Sequence, residues 1–588
     1  MTLFDEQNDL IQRIDQFCLE RGLPKGKIEF RNIPFSGEWG IAAPLFPLAA
    51  ADPNKSGPVP QHAQNLAEAL KDYLGLPQGF ARSEAVKGYL NLYYETSQYA
   101  AKVIDYVHFA EHCYGMASLS GKTVMVEYSN PNTHKPLHVG HLRNVILGSS
   151  VCNILEANGD KVIRANYIGD IGLHVIKWMY NYEMYHAVEE PPADIMRWMA
   201  DLYSEADRRF QDEPGFEEAC RAYFGRWDAG DKDIEALWLK TRQWSMDGFD
   251  QVYALLDARF DRIYFESDVE ESGKVLVEKI LEMGLAEDGR PENPVIIDLD
   301  KMLGTKEEYR VAVILRSDGT SLYATKELPL AIMKFEEYPL DQSIYVIDVR
   351  QSLHMKQMRK VLELMGFDWA DKIFHLAYEI VNLPGNVTMS SRDGTVVLLD
   401  DLISEATERA LSIVKEKNPD LSLETQHDIA EMVAIGAIKY PMISRENTKI
   451  VTFDWDSALD FNGQSAPYIQ YACVRANSIL KRGAVTDTHA QTSFDYELEP
   501  AEVNLIEHIS RLPQELAKAA KDYKPSLIAT YAYDLAKAFN DFYNQCPVLN
   551  TEAKIKAARL ALTSAARITI ENSQKSEGAV DAYGNTLN

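Results

Sequence analysis

The run SNPNTHKPLHVGHLRN, Ser129 to Asn144, gathers the side chains best suited to chemistry. His138 and His141 flank Gly140 where a polar loop passes into a helix-patterned segment. A helix N-terminus presents free backbone N–H groups and a partial positive charge, which favours phosphate. Histidines placed there can donate hydrogen bonds to phosphate oxygens as charge builds in a transition state. Gly140 lets the backbone lie close to a flat or bulky ligand. Lys135, three residues before His138, is a mobile point charge for phosphate. Two histidines around a glycine can be coincidence. The strand pattern before them, the helix pattern after them and the Lys, Asn and Pro context argue against it here.

Those side chains need elements to hold them. Thr123 to Tyr128 (TVMVEY) is a short β-rich run, and a helical pattern follows from His141 to Asn158. Gly159 is placed to end that helix, and KVIRANYI reads as the next strand. This is a strand–loop–helix–strand unit of a parallel nucleotide-binding sheet, whose carboxyl edge receives ligands. A Trp-rich, mainly helical stretch, about 175 to 260, interrupts the sheet. Strand-like segments return at Val311 (VAVILR), Ser343 (SIYVIDV) and Val396 (VVLL). Residues 1 to about 115 read as a small α+β module. It has a helical pattern in Leu3, Ile11, Ile14 and Phe17, a Pro-rich loop from Asp52 to Pro60, a helix over Ala63 to Leu74 and a strand from Gly88. After about 405 the texture is helical, with apolar faces such as Leu505, Ile509, Leu512 and Leu516, and Leu535, Phe539 and Phe542. The polar end, from Ser573, reads as a loose tail. The fold class expected is α/β: a Rossmann-like parallel-sheet domain with a helical insertion, an N-terminal α+β module and a C-terminal α-helical bundle.

Composition bounds the rest. A chain of 588 residues allows three or four domains. With 46% hydrophobic and 25% charged residues, it is an ordinary globular composition. The net charge of −28 argues, by itself, against a nucleic-acid partner, although local patches decide binding. Six cysteines without a Cys-x-x-Cys pair suit reduced thiols in the cytoplasm. The longest apolar run, Trp39 to Ala51, contains Pro44 and Pro47 and is too short for a membrane span. The acidic, amphipathic N-terminus resembles neither a signal nor a transit peptide, so a cytoplasmic protein with no membrane partner is expected.

H-x-G-H is the signature of class I aminoacyl-tRNA synthetases and related nucleotidyltransferases. The longer string S-N-P-N-x-x-K-P-L-H-V-G-H-L-R closely resembles the arginyl-tRNA synthetases. Tyr167 to Gly172 (YIGDIG) is similar to a Gly-Asp turn of that family. Val387 to Gly394 (VTMSSRDG) resembles its degenerate second class I motif. Asp454 to Tyr471 and Ala532 to Leu549 resemble segments of its anticodon-binding helices. The N-terminal module with GYLNL is similar to its extra domain, and the likeness spans roughly residues 1 to 570. It implies a tRNA-contacting module at 1–115, a catalytic domain at 116–405 with the insertion near 175–260, and an anticodon-binding domain at 406–588. It implies an arginine–tRNA ligase acting on L-arginine, ATP with Mg2+, and tRNA-Arg, with no structural metal, as a monomer.

The resemblance also implies roles. His138, His141, Lys135 and Arg392 would be catalytic. His138, Gly140, His141, Asn144, Met389, Ser390 and Ser391 would bind ATP. Tyr323, Glu327 and Glu266 fall at guanidinium-recognising positions, and Glu127, Asn132 and Gln351 near the α-amino and carboxylate end. Tyr468, Tyr471 and Arg475 would meet tRNA. The sequence departs from the family in three places. Glu327 stands where the pattern Tyr-x-Thr-x-Asp has an aspartate, Asp393 follows Arg392, and the chain diverges after about Asn572. Two other readings are a class I synthetase for glutamine, glutamate or cysteine, and a catalytically silent RNA-binding paralogue. Lys135, the N-terminal module and the missing Cys/His zinc set disfavour the first. The intact Lys135, His138, Gly140 and His141 disfavour the second.

Overall fold

The computed structural model describes residues 5–26, 28–55, 57–383, 387–388, 399–484 and 492–577. The chain divides into two compact units. One is Met1–Tyr114 with Ala472–Leu512 and Asp534–Asn572, and the other is Gly115–Tyr471 with Pro513–Tyr533 and Ser573–Asn588.

In the first unit, four antiparallel strands pair in the order Arg31–Ile33, Gly40–Pro44, Tyr89–Tyr94, Phe80–Val86. The apolar run noted above becomes the buried strand Gly40–Pro44 and the short helix Phe46–Ala51. Helix Val59–Leu74 buries Ala63, Leu66, Ala67, Leu70 and Leu74 at helical spacing, with Pro60 in its first turn where no N–H is lost. The module is tied to C-terminal helical segments of the same unit. The Tyr114 hydroxyl donates to the Ile509 carbonyl at 2.7 Å, and Asn572 donates to the Glu111 carbonyl at 2.8 Å. Arg559 and Glu502 form a buried ion pair at 2.8 Å, with Tyr496 donating to the same carboxylate at 2.8 Å.

The second unit holds five parallel strands: β1 (Thr123–Glu127), β2 (Lys161–Ile168), β3 (Arg262–Phe265), β4 (Gln342–Asp348) and β5 (Ile373–Tyr378). Their order is β5-β4-β1-β2-β3. β1 and β2 are buried along most of their length, as strands covered on both faces must be. Helix α1 (Val139–Ala157) follows β1. A Cβ on Gly148 of α1 would lie 2.3 Å from the Tyr128 side chain, so glycine permits the close helix–strand packing.

Helices α2 (Leu173–Asn181), α3 (Ile195–Asp212), α4 (Phe216–Asp228) and α5 (Lys232–Leu255) fill the interruption between β2 and β3. Their core is aromatic, with Trp178, Tyr182, Trp198, Tyr223 and Trp244 in contact. Helices α6 (Glu266–Glu282), α7 (Tyr323–Glu337) and α8 (Ser352–Leu364) complete the site's frame.

Three sequence expectations differ from the structure. Val311–Leu315 is a strand, but it pairs antiparallel with Val295–Asp298 outside the parallel sheet. Its outward residues Val311 and Val313 are exposed, so it has one wet face. The run VVLL does not continue as a strand at Leu399, which opens the helix Leu399–Lys417, and 396–398 lie outside the described residues. The polar end stays helical to Glu577, because Ser573 and Gln574 are buried.

Candidate active site

β1 ends on Glu127, and the chain then turns sharply, with Ser129, Asn130 and His134 all at positive φ. Side-chain hydrogen bonds hold this uncommon backbone. Asn130 accepts the Tyr167 N–H at 3.1 Å, and its own N–H donates to Asn166 at 3.0 Å. The Ser129 N–H donates to Asn144 at 2.5 Å, and the Asn144 amide donates to the Val346 carbonyl at 2.8 Å. Asn144, expected at ATP, is therefore committed to joining the loop to β4, although one side of it still faces the cavity. Thr133 N–H donates to the Gly169 carbonyl at 2.8 Å. A Cβ on Gly169 would meet Asn132 Oδ1 at 2.2 Å, so the YIGDIG glycine makes room for the loop after β1.

The signature histidines form the N-terminus of α1. His138 is the N-cap, and its Nδ1 accepts the Gly140 N–H at 3.1 Å. His141 Nδ1 accepts the His138 N–H at 3.2 Å, which closes a reciprocal capping box. Each neutral ring then carries its proton on Nε2, the nitrogen able to donate to an anion. Burial, then the charge of Lys135, pushes His138 below the usual histidine value. Burial, then His138 and Lys135, pushes His141 well below it. Both rings are neutral donors at pH 7. The sequence suggested that Gly140 leaves space for a ligand. Its immediate effect is on His138, because a Cβ there would lie 2.8 Å from the His138 ring.

Lys135 is half-buried and ion-pairs with no carboxylate among the described residues. Burial, then repulsion by Lys177, lowers its pKa. Arg143 is buried at the base of α1 and donates to the carbonyls of Glu379, Asn447 and Lys449. It thereby anchors the chain just before strand Val381–Leu383 and just before its parallel partner Val451–Thr452.

A cavity of about 420 Å³ opens at the carboxyl ends of β1, β2 and β4. All six residues expected at arginine line it: Glu127, Asn132, Glu266, Tyr323, Glu327 and Gln351. Of those expected at ATP, His141 and Asn144 line it; His138 and Gly140 do not, nor does Lys135, expected to be catalytic. Met389, Ser390, Ser391 and Arg392 lie outside the described residues. Tyr468, Tyr471 and Arg475 lie on helix Ala466–Gly483 at intervals of three and four residues. Tyr471 is exposed, Tyr468 packs on Tyr533, and Arg475 bonds Asn540 and lies over the Tyr543 ring.

The cavity's carboxylates are already paired. Glu127 binds the buried Lys334, whose ammonium also lies 4.0 Å from the Tyr345 ring centroid. Glu266 binds Lys326 at 3.2 Å, Asp348 binds Arg350 at 2.8 Å, and Glu327 hydrogen-bonds His354. Burial raises the pKa of Glu266, and Lys326 only partly offsets that. A further donor to Glu266 would relieve the part of its burial cost that Lys326 leaves standing.

Sequence reasoning missed several of these residues. Lys334 and Lys326 sit on α7 with Glu327. Asp170 accepts from the Ser267 N–H at 2.9 Å and from Arg242 at 2.8 Å, which fixes the start of α6 and with it Glu266. The Tyr167 hydroxyl is buried at the cavity with no hydrogen-bond partner among the described residues. His354, one helical turn after Gln351, carried a readable signal in the spacing of QSLH.

Comparison with known proteins adds a second line. Residues 104–455 match the family model for tRNA synthetases class I (R), catalytic domain, and 469–576 match the DALR anticodon binding domain. The arginine–tRNA ligase of Treponema denticola is 34% identical, covering 96% of each chain. That of Clostridium botulinum is 33% identical, covering 92% of this chain and 93% of its own. The Thermus thermophilus arginyl-tRNA synthetase structure is 27% identical with a TM-score of 0.78, covering 97% of this chain and 98% of its own. The Plasmodium falciparum enzyme, 19% identical over 97% of each chain, shares the fold with a TM-score of 0.74.

Proposed function

Because the chain belongs to the arginyl-tRNA synthetase family, we propose a specific way in which its pocket joins L-arginine to tRNA-Arg at the expense of ATP. The ligase activity follows from that membership. The observation that carries the residue-level reading is one cavity in which four paired carboxylates stand beside a histidine of the capped helix N-terminus.

The arginine guanidinium docks against Glu327 and Glu266, beside Tyr323, where carboxylates match its planar fork of donors. Glu127, Asn132 and Gln351 hold the α-amino and carboxylate end. The arginine carboxylate, already ionised at pH 7, attacks the α-phosphate of ATP, and pyrophosphate leaves. No general base is needed, so catalysis is positioning plus stabilisation of phosphoryl charge. The Nε2–H groups of His138 and His141 and the N-terminus of α1 donate to the phosphates, and Lys135 adds a point charge. Arg392 joins them from the second motif with Met389, Ser390 and Ser391. ATP enters with Mg2+ as substrate. The terminal adenosine hydroxyl of tRNA then takes the acyl group and AMP leaves.

We assign tRNA contact to residues 1–115, catalysis to 116–405 and anticodon binding to 406–588, with Tyr468, Tyr471 and Arg475 on the RNA side. Because the net charge is −28, the acidic excess would lie away from the RNA track. We also propose a cytoplasmic monomer. The cysteines are free thiols, all but Cys113 buried, a state that a reducing compartment maintains. No helix among the described residues is long and apolar enough to cross a membrane.

The test is pyrophosphate exchange and aminoacylation with each amino acid, with and without tRNA. Arginine-specific product is expected. Product with glutamine, glutamate or cysteine, or no product, overturns the reading. The lining's arginine, Arg350, is already paired with Asp348, which disfavours an acidic substrate.

A further inference from the structure

This inference rests on reading the cavity as the arginine pocket. The charges of its lining carboxylates and of their direct partners balance. Glu127, Glu266, Asp348 and Glu327 supply four negative groups, and Lys334, Lys326, Arg350 and His354 supply one partner to each. Lysine and arginine ordinarily keep their charge across the physiological range, whereas histidine is the side chain that loses it there. The other titratable groups of the lining add nothing. Burial keeps His141 neutral, and burial pushes Tyr167, Tyr323 and Tyr378 upward, so they are neutral as well. With His354 protonated the pocket has no net charge to offer a cation. With His354 neutral it has one uncompensated negative charge, on Glu327.

The geometry supports a positioning role as well. Glu327 projects from α7 and His354 from α8, and His354 Nε2 bonds Glu327 Oε2. A glutamate side chain has three rotatable bonds, so this contact fixes where its carboxylate points. Among the described residues no hydrogen bond reaches the other oxygen, Oε1, which is therefore open to a second donor.

We propose that His354 is a positioning residue and proton switch for the cationic substrate, holding Glu327 in place and shedding a proton as the guanidinium arrives. The proton leaves from Nδ1 to solvent, so that Nε2–H still donates to Glu327. Burial disfavours the imidazolium, but the hydrogen bond and charge of Glu327 outweigh burial and leave the His354 pKa raised in the empty pocket. A guanidinium against the same carboxylate is a like charge and lowers it. Binding therefore releases protons. Affinity rises with pH up to the raised His354 value and is flat above it.

Calorimetric titration of the full chain with arginine at pH 6 to 8.5, in buffers of different ionisation enthalpy, reads this directly. The wild-type protein should release a large fraction of a proton per arginine and bind about five- to tenfold more tightly at the upper pH. His354→Gln keeps a donor to Glu327 without the charge. It should release no proton and vary less than about twofold over the range. His354→Asn, a shorter amide, should also lose the pH dependence, with weaker binding throughout. Absence of proton release in the wild type, or its persistence in His354→Gln, overturns the proposal. Glu327→Gln in the same assay tests the pocket itself. If it leaves arginine affinity unchanged, the pocket assignment fails, whatever His354 does.

Discussion

The backbone N–H of His138 donates to Nδ1 of His141 at 3.2 Å, so the two signature histidines are bonded to one another through the start of α1. Their ring centroids lie 4.0 Å apart. The same atoms that terminate the helix also choose the tautomer. With Nδ1 used as an acceptor, Nε2–H is the remaining donor, and structure and chemistry become one constraint.

His141→Ala removes both functions, but they differ in size. Loss of a cap costs about 1 kcal/mol of stability. Loss of a charge-stabilising donor lowers the adenylation rate about 10²-fold or more. Pyrophosphate exchange should therefore fall while arginine affinity changes little. A large loss of arginine binding with unchanged turnover sinks the assigned role.

Gly140→Ala should leave a folded protein whose adenylation rate is down about tenfold or more, since the added Cβ pushes His138 out of its cap. Circular dichroism and pyrophosphate exchange on the same sample check this. A fully active variant means that the His138 ring position is unimportant.

Glu266→Gln and Glu327→Gln should each raise KM for arginine about tenfold or more with a smaller change in kcat, because each removes a charged partner of the guanidinium. Steady-state aminoacylation decides it, and an effect confined to kcat would reassign both residues to the phosphate side.

Lys334→Met leaves Glu127 buried and unpaired. Breaking a buried pair on one side costs about 3 kcal/mol or more. The double variant Glu127→Gln with Lys334→Met should recover part of that loss. Urea titrations of the three proteins measure the coupling, and simple additivity would show that the pair is not a unit.

His134 is fully buried between Thr133 and Thr241, and burial holds its pKa down to about 3. The unfolded chain protonates it near the usual 6.5. Below that pH the unfolded state binds more protons, so stability is lost as pH falls from about 6.5 toward 3. Between pH 6.5 and 5 this costs about 2 kcal/mol. His134→Gln should show a correspondingly shallower acid slope in urea denaturation. An unchanged slope refutes the assignment to His134.

Much of the site was legible. The six arginine residues implied by resemblance come from segments as far apart as Glu127 and Gln351, and the fold gathers all of them into one cavity. What the strings concealed was the pairing of those carboxylates. Glu127 and Lys334 are 207 residues apart, and Glu327 and His354 sit on different helices. No local pattern relates residues across that distance. VAVILR was legible as a strand but not as an antiparallel one, because pairing direction depends on the partner.

The sequence by itself determined the chemistry around the signature: histidines at a helix start and a loop of Asn and Pro before them, whereas the acidic residues entered only through the family resemblance. The histidines and the loop depend on residue type and short spacing, which periodicity and backbone preferences encode directly. Only the tertiary structure decided how much of that chemistry is available. It committed Asn144 to a loop, neutralised three carboxylates with permanent cations and left the fourth to a histidine. The reason is that the charge state of a buried group depends on its neighbours in space, and the fold alone selects those neighbours.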